Sequence, residues 1–182
     1  MKARGFTITE ILIAVAVMAI LAGALAPLAV KQITRAQRAR ALREVSTLAE
    51  SVHTFRRDVK AFPDRSGGAQ GAVGYLLTAG TAPTGLASWQ GPSGLAADHL
   101  VNNSPSGSNY PTTGVAAWNG PYLPNNPTDP WGNAYAISVA GMRGDGSLRG
   151  WVLSAGPNGV LETDDGSAQI AASSDDLGWR LR

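Results

Sequence analysis

The chain has 182 residues, no cysteine and a formal net charge of +2. The absence of cysteine excludes disulfides, thiolate metal sites and cysteine nucleophiles. The length allows a membrane anchor and one modest domain, and 22 glycines with 11 prolines require much loop or short strand.

The chain opens with a basic leader, Met1-Lys2-Ala3-Arg4-Gly5, then Phe6-Thr7-Ile8-Thr9-Glu10, then the uncharged run Ile11 to Val30. A helix of that length rises about 30 Å, enough to cross the hydrocarbon core of a bilayer. Glu10 stands at its head, where a charge is costly and marks a functional position. A secretory signal would have a shorter apolar stretch with a small-x-small cleavage site after it. Here the candidate processing site, Gly5-Phe6, precedes the run, so the anchor would survive cleavage.

One long helix is expected from Phe6 to about Ala61, about 80 Å at 1.5 Å per residue. It divides into a membrane segment, 6–30, and an amphipathic stem, 31–62. Pro27 removes one backbone donor and, with Gly23, is expected to kink or loosen it. In the stem, Leu42, Val45, Leu48, Val52, Phe55 and Val59 recur at spacings of three and four and should pack on the chain's own domain. Between Lys31 and Arg40 little is apolar beyond Ile33, so that part is free to meet other subunits. Pro63 ends the helix. Residues 31–65 carry nine basic and four acidic side chains, whereas 66–182 carry four basic and eight acidic. A basic stretch can bind nucleic acid. This one lies beside an anchor without interleaved aromatics, so lipid headgroups or neighbouring subunits fit it better. By count, the five basic residues from Lys31 to Arg43 outweigh Lys2, Arg4 and the α-amino group, which argues against a cytoplasmic N-terminus.

Residues 63–119 form a Gly-, Pro- and Ser-rich region. A short helix is expected near Ala72–Ala79, then a long loop with at most one or two strands, anchored by Trp89, Tyr110 and Trp118. Residues 120–182 form the C-terminal part. The prolines of Gly120–Tyr135 impose extended backbone. Ala134–Val139 reads as a strand with Tyr135 and Ile137 on one face. The turn Arg143–Ser147 leads to a second strand, Gly150–Ser154, completing an antiparallel hairpin. Arg143-Gly144-Asp145 is a chance tripeptide.

The end, Leu153–Thr163, Asp164–Ser174 and then Asp175-Asp176-Leu177-Gly178-Trp179, is rich in turns and oxygen ligands. Hard cations such as calcium take six to eight oxygens. The carboxylates of Asp175 and Asp176 would repel each other without a cation or base between them. His53 and His99 lack paired ligand spacing, and no G-x-S-x-G, H-E-x-x-H or P-loop occurs, so an enzyme is not expected.

The leader resembles the class III leader of type IV pilins and pseudopilins, with Gly5, Phe6, Thr7 and Glu10 matching G-F-T-x-x-E. Pro27 falls where this family usually carries a proline, and Phe62-Pro63 resembles the aromatic-Pro pair after its stem helix. Pro127–Tyr135, Ser154–Gly159 and Asp175–Trp179 are similar to the G-type major pseudopilin of type II secretion systems. The resemblance covers 1–63 and 120–179. It implies an α+β, type IV pilin-like fold: a long N-terminal helix, anchor plus stem, packed on a small antiparallel sheet domain. It implies cleavage at Gly5-Phe6, N-methylation of Phe6, and assembly through Glu10 and Pro27, with Glu10 pairing with the Phe6 amine of a neighbour. The filament would be a homopolymer, and its partners would be minor pseudopilins, a prepilin peptidase, and an inner-membrane platform with its ATPase. The unassembled chain would sit in the inner membrane, N-terminus in the cytoplasm and domain in the periplasm. One calcium ion is implied, held through Leu153, Asn158, Asp175 and Asp176, with Asp164 and Asp165 as alternates. Asn158 stands where the family has an Asp. The other readings are a type IV pilus subunit or minor pilin, and a membrane-tethered ligand-binding protein with Trp89, Tyr110 and Trp118 as a stacking surface.

Overall fold

The computed structural model describes residues 7–143 and 150–181. Gly5 and Phe6, and most of the turn Arg143–Ser147, lie outside the described residues. The chain divides into two units, Met1–Gln37 and Arg38–Arg182. The first helix, α1, runs from Ile8 to Val59 and continues through Pro27. In the first unit its apolar side chains, among them Ile11, Leu12, Ile20, Leu28 and Val30, are exposed. This helix is long and apolar enough to cross a membrane.

In the second unit, α1 buries Ala41, Val45, Leu48, Val52, Phe55 and Val59. The spacing is four, three, four, three, four, so these residues share one face. The expected stripe is corrected at its start. Leu42 is exposed, because it lies about 100° around the helix from Ala41.

Five strands follow: β1 (Tyr75–Leu77), β2 (Ser93–Leu95), β3 (Ala136–Ser138), β4 (Trp151–Ser154) and β5 (Leu177–Arg180). Their order is β2-β1-β3-β4-β5. The expected hairpin is present, with Ala136 opposite Leu153 and Ile137 opposite Val152. The fold is α+β with a long N-terminal helix on a small sheet, as the pilin-like reading implies. The sheet, however, is mixed and not antiparallel throughout, since β1 and β2 pair in parallel. Their connection is much longer than a hairpin turn and can bring the chain back in the same direction.

Alternation along the strands separates two cores. Leu76, Ile137 and Val152 face α1 and join Val45, Leu48, Val52 and Phe55. Ala136 and Leu153 point the other way and pack with Trp89, Trp151, Ala155 and Leu161. Tyr135 and Ile137 share the α1 side, as expected.

The 63–119 region is more ordered than its composition suggests. The helix expected near Ala72–Ala79 is instead β1. Gly74 disfavours a helix there, and β1 gains partners on both sides. The region also supplies β2 and a short helix, α2 (Ala96–Leu100). Its aromatics are anchors. Phe55 meets the rings of Tyr110 at 5.0 Å and Tyr122 at 5.5 Å, both edge-on. Trp118 packs edge-on against Tyr122, and its Nε1 donates to the His99 carbonyl at 2.8 Å. Trp89 is buried and donates Nε1 to the Thr163 carbonyl at 3.1 Å. Rings engaged in this way do not form an open stacking surface.

His99 is buried on α2 and shares a 2.8 Å hydrogen bond between its Nδ1 and the Tyr110 hydroxyl. Burial holds its imidazole down at about 4, so it is neutral at physiological pH. Glu44 accepts from Arg40 at 2.8 Å and from the Tyr135 hydroxyl at 2.5 Å, tying α1 to the strand side of the domain.

Candidate functional site

Two places carry the sequence-level candidates, and they lie in different units. The first is the start of α1. The Thr7 backbone N–H donates to the Glu10 carboxylate at 2.9 Å, and the Thr7 hydroxyl donates to the same oxygen at 2.9 Å. The Glu10 N–H donates back to the Thr7 Oγ1 at 3.3 Å. This reciprocal arrangement is a capping box, which satisfies backbone donors that the first turn leaves without partners. The T-x-x-E spacing announces it in the sequence, beside the charge that singles Glu10 out. Both residues are exposed, so the carboxylate of a single chain is organised but not enclosed.

The second place is the turn after β4 and the segment entering β5. The chain leaves β4 at Ser154 and makes a tight 3-10 turn, Gly156–Asn158. Gly156 has φ of 64°, and a Cβ there would lie 2.5 Å from the Asp175 carbonyl oxygen. Only glycine lets the two segments approach so closely. The Asn158 N–H donates to Asp175 Oδ2 at 3.3 Å. Asn158 Oδ1 accepts from the Val160 N–H, and its amide nitrogen donates to Glu162, each at 2.8 Å. Leu153 lies in β4, opposite Gly178 of β5.

Asp176 is buried, at 5% exposure. Its Oδ2 accepts three hydrogen bonds, from the Glu162 N–H at 3.1 Å, the Thr163 N–H at 2.9 Å and the Thr163 hydroxyl at 2.6 Å. Burial pushes its carboxyl above the usual carboxylate range, although the Thr163 bonds oppose that shift. Among the described residues, Oδ1 of Asp175 and Oδ1 of Asp176 are both buried without a hydrogen-bond partner. Buried oxygens are normally satisfied, and two orphans on adjacent carboxylates have the chemistry of a hard-cation site. Asp175 and Asp176 are thus the two side chains of this loop with an oxygen that a hard cation could take.

The alternates lie elsewhere. Asp165 is buried and its Oδ2 accepts from the Gln90 N–H at 2.9 Å, holding the Trp89 segment. Asp164 is exposed. Among the described residues, no three His, Asp or Glu side chains gather closely enough to hold a metal. A cation would have to complete its shell with amide and carbonyl oxygens.

Sequence reading passed over one more residue. Asp129 is buried at 3% exposure. Its Oδ1 accepts from the N–H groups of Trp131 at 3.0 Å and Asn133 at 2.7 Å. Its Oδ2 accepts from the Ser154 hydroxyl at 2.8 Å and the Asn133 side-chain amide at 3.5 Å. The signal was an Asp followed by a turn, since Asp side chains bond backbone N–H groups two and more residues on.

A family model described as "Type II secretion system (T2SS), protein G" matches residues 94–173. It reaches back over β2 and α2, which the sequence resemblance did not cover. A second, the "Prokaryotic N-terminal methylation motif", matches residues 1–26. The chain is similar to "Type II secretion system core protein G" of Escherichia coli (strain K12), 26% identical over 164 residues that cover 90% of this chain and 88% of the relative. The corresponding protein of Dickeya chrysanthemi is 25% identical, covering 90% and 84%, and that of Klebsiella pneumoniae is 24% identical, covering 90% and 91%. No solved structure matches the chain. With both motifs in place, and with relatives of one kind matching along nearly its whole length, the chain is similar to the protein G subunits of type II secretion systems.

Proposed function

We propose that this chain is the structural subunit of a type II secretion pseudopilus, a non-enzymatic protein that polymerises through its N-terminal helix. The observation that carries this is the exposed apolar face of α1 from Ile8 to Val30 with one organised carboxylate, Glu10, at its head. In water such a surface would be untenable. It suits first a lipid bilayer and then a bundle of identical helices. The precursor sits in the inner membrane with its N-terminus in the cytoplasm and its domain in the periplasm. A prepilin peptidase cuts Gly5-Phe6 and the new Phe6 amine is methylated. Glu10 then pairs with the Phe6 amine of a neighbouring subunit. Only one stagger of the helices satisfies both charges, so the pair sets the register. Pro27 leaves one carbonyl of α1 without its intrahelical donor, a place where the helix can adapt on leaving the bilayer. Minor pseudopilins, a membrane platform and its ATPase are the remaining partners, and growth of the filament helps move folded proteins across the outer membrane.

Electron microscopy of cells overproducing the chain with its assembly machinery tests this. Surface filaments are expected from the wild type. Gly5→Ala is expected to accumulate as an uncut precursor without filaments, and abundant filaments from Gly5→Ala would contradict the processing step.

We further propose that the C-terminal loop holds calcium through Asp175 and Asp176, with Asn158 and the Leu153 carbonyl as the oxygens to complete it. Bound there, the ion would supply positive charge to two adjacent carboxylates that, among the described residues, form no salt bridge. In a melting experiment on the full chain in detergent, calcium at a hundredfold excess over Kd is worth about 2.7 kcal/mol. That corresponds to a rise of about 5 to 10 °C for a chain of this size. The rise should vanish in the Asp175→Ala/Asp176→Ala double variant. An unchanged melting curve of the wild type at millimolar calcium would reject the site.

A further inference from the structure

We propose that Asp129 is the positioning residue of the cation loop. It is buried, ionisable and remote in sequence from that loop, yet it bonds directly to it. The Asp129 carboxylate gathers donors from two segments, the Trp131 and Asn133 N–H groups of its own turn and the hydroxyl of Ser154 at the end of β4. Ser154 Oγ accepts in turn from the Gly156 N–H at 3.2 Å, which fixes the start of the 3-10 turn. Asn133 reaches the same turn independently, its side-chain amide donating to the Gly156 carbonyl at 3.3 Å. The turn so held presents the Asn158 N–H to Asp175 Oδ2. Hydrogen bonds at either end of the Gly156–Asn158 turn, joined by its backbone, thus connect Asp129 to Asp175.

All the partners of Asp129 in this network are donors, and a carboxylate can accept from all of them. An amide in its place would turn its NH2 group toward donors, of which only the Ser154 hydroxyl can accept instead. The Asp-Pro-Trp-Gly-Asn run is therefore more than a rigid turn. Its acid and its asparagine are two ends of a bracket around the Ser154–Gly159 segment. This inference rests on the calcium reading above for its consequence but not for its geometry, so the two can fail separately.

The test uses the full chain in detergent and two readouts, the Kd for calcium by calorimetric titration and amide hydrogen exchange of residues 156–160 without calcium. Asp129→Asn is expected to weaken calcium about tenfold or more, the usual cost of losing support behind a ligand. It should also speed exchange of the 156–160 amides about tenfold, while the amides of β3 keep their wild-type protection. Ser154→Ala removes one bond of the bracket and is expected to give a smaller effect of the same kind, which keeps the inference testable should Asp129→Asn fail to fold. Wild-type exchange at 156–160 in either folded variant would overturn the positioning role, whatever calcium does. Faster exchange there in a chain whose wild type ignores calcium would support the bracket and reject only the cation.

Discussion

In Glu10→Gln the precursor is expected to be cut and methylated as in the wild type, but to form no filaments. Glutamine is the informative replacement because two roles meet at this residue. The carboxylate completes the capping box with Thr7, and glutamine performs that role as well. Only the negative charge is lost. If the charge pairs with a neighbour's amine inside an apolar bundle, its removal leaves that amine buried and uncompensated, at about 3 to 5 kcal/mol per contact. A polymer repeats that cost at every subunit. Thr7→Val is the complementary change. It loses the side-chain half of the cap, worth about 1 kcal/mol, and keeps the charge, so filaments should persist. Filaments from Glu10→Gln together with none from Thr7→Val would assign Glu10 to capping alone.

Phe55→Ala is expected to be the most damaging single change in the folded domain. Phe55 is fully buried, and two tyrosine rings from the 102–123 stretch pack edge-on against it. Truncating such a ring costs about 3 to 5 kcal/mol, a large part of a net stability of about 5 to 15 kcal/mol. The melting temperature should fall by about 10 °C or more. Leu42→Ala is the control. Leu42 looks equivalent in the sequence, but it is 45% exposed, and its loss should stay within about 0.5 kcal/mol. Equal effects at the two positions would place the buried seam of α1 elsewhere.

That contrast shows what the sequence could carry. The stem helix was legible because apolar residues recur at helical spacing over several turns, and only its first contact, Ala41 in place of Leu42, was hidden by alanine's small side chain. The β3–β4 hairpin was legible from alternation around a polar turn. β1 was misread because Val73-Gly74-Tyr75-Leu76-Leu77 is too short to show a period, and its partners, Ser93–Leu95 and Ala136–Ser138, are distant in sequence. β5 is hard to see in the sequence because Leu177-Gly178-Trp179-Arg180 follows two aspartates and is only four residues long, although it pairs along its whole length with β4. At the candidate sites, residue types were readable and commitments were not. Asp165 and Asp175 look alike in the sequence, yet Asp165 is held by a backbone N–H of the Gln90 segment, while Asp175 keeps a buried oxygen free. The roles of Thr7 and Asp129 lie in local spacings, T-x-x-E and an Asp before a turn.

The central claim is that the chain becomes a filament subunit by losing its leader while keeping its anchor. The intact mass of the protein recovered from membranes of cells that contain the peptidase tests this most directly. The predicted mass lacks Met1–Gly5, includes all residues from Phe6 to Arg182, and carries one added methyl group on the Phe6 amine. A full-length mass, or one that also lacks the run Ile11–Val30, would contradict the account.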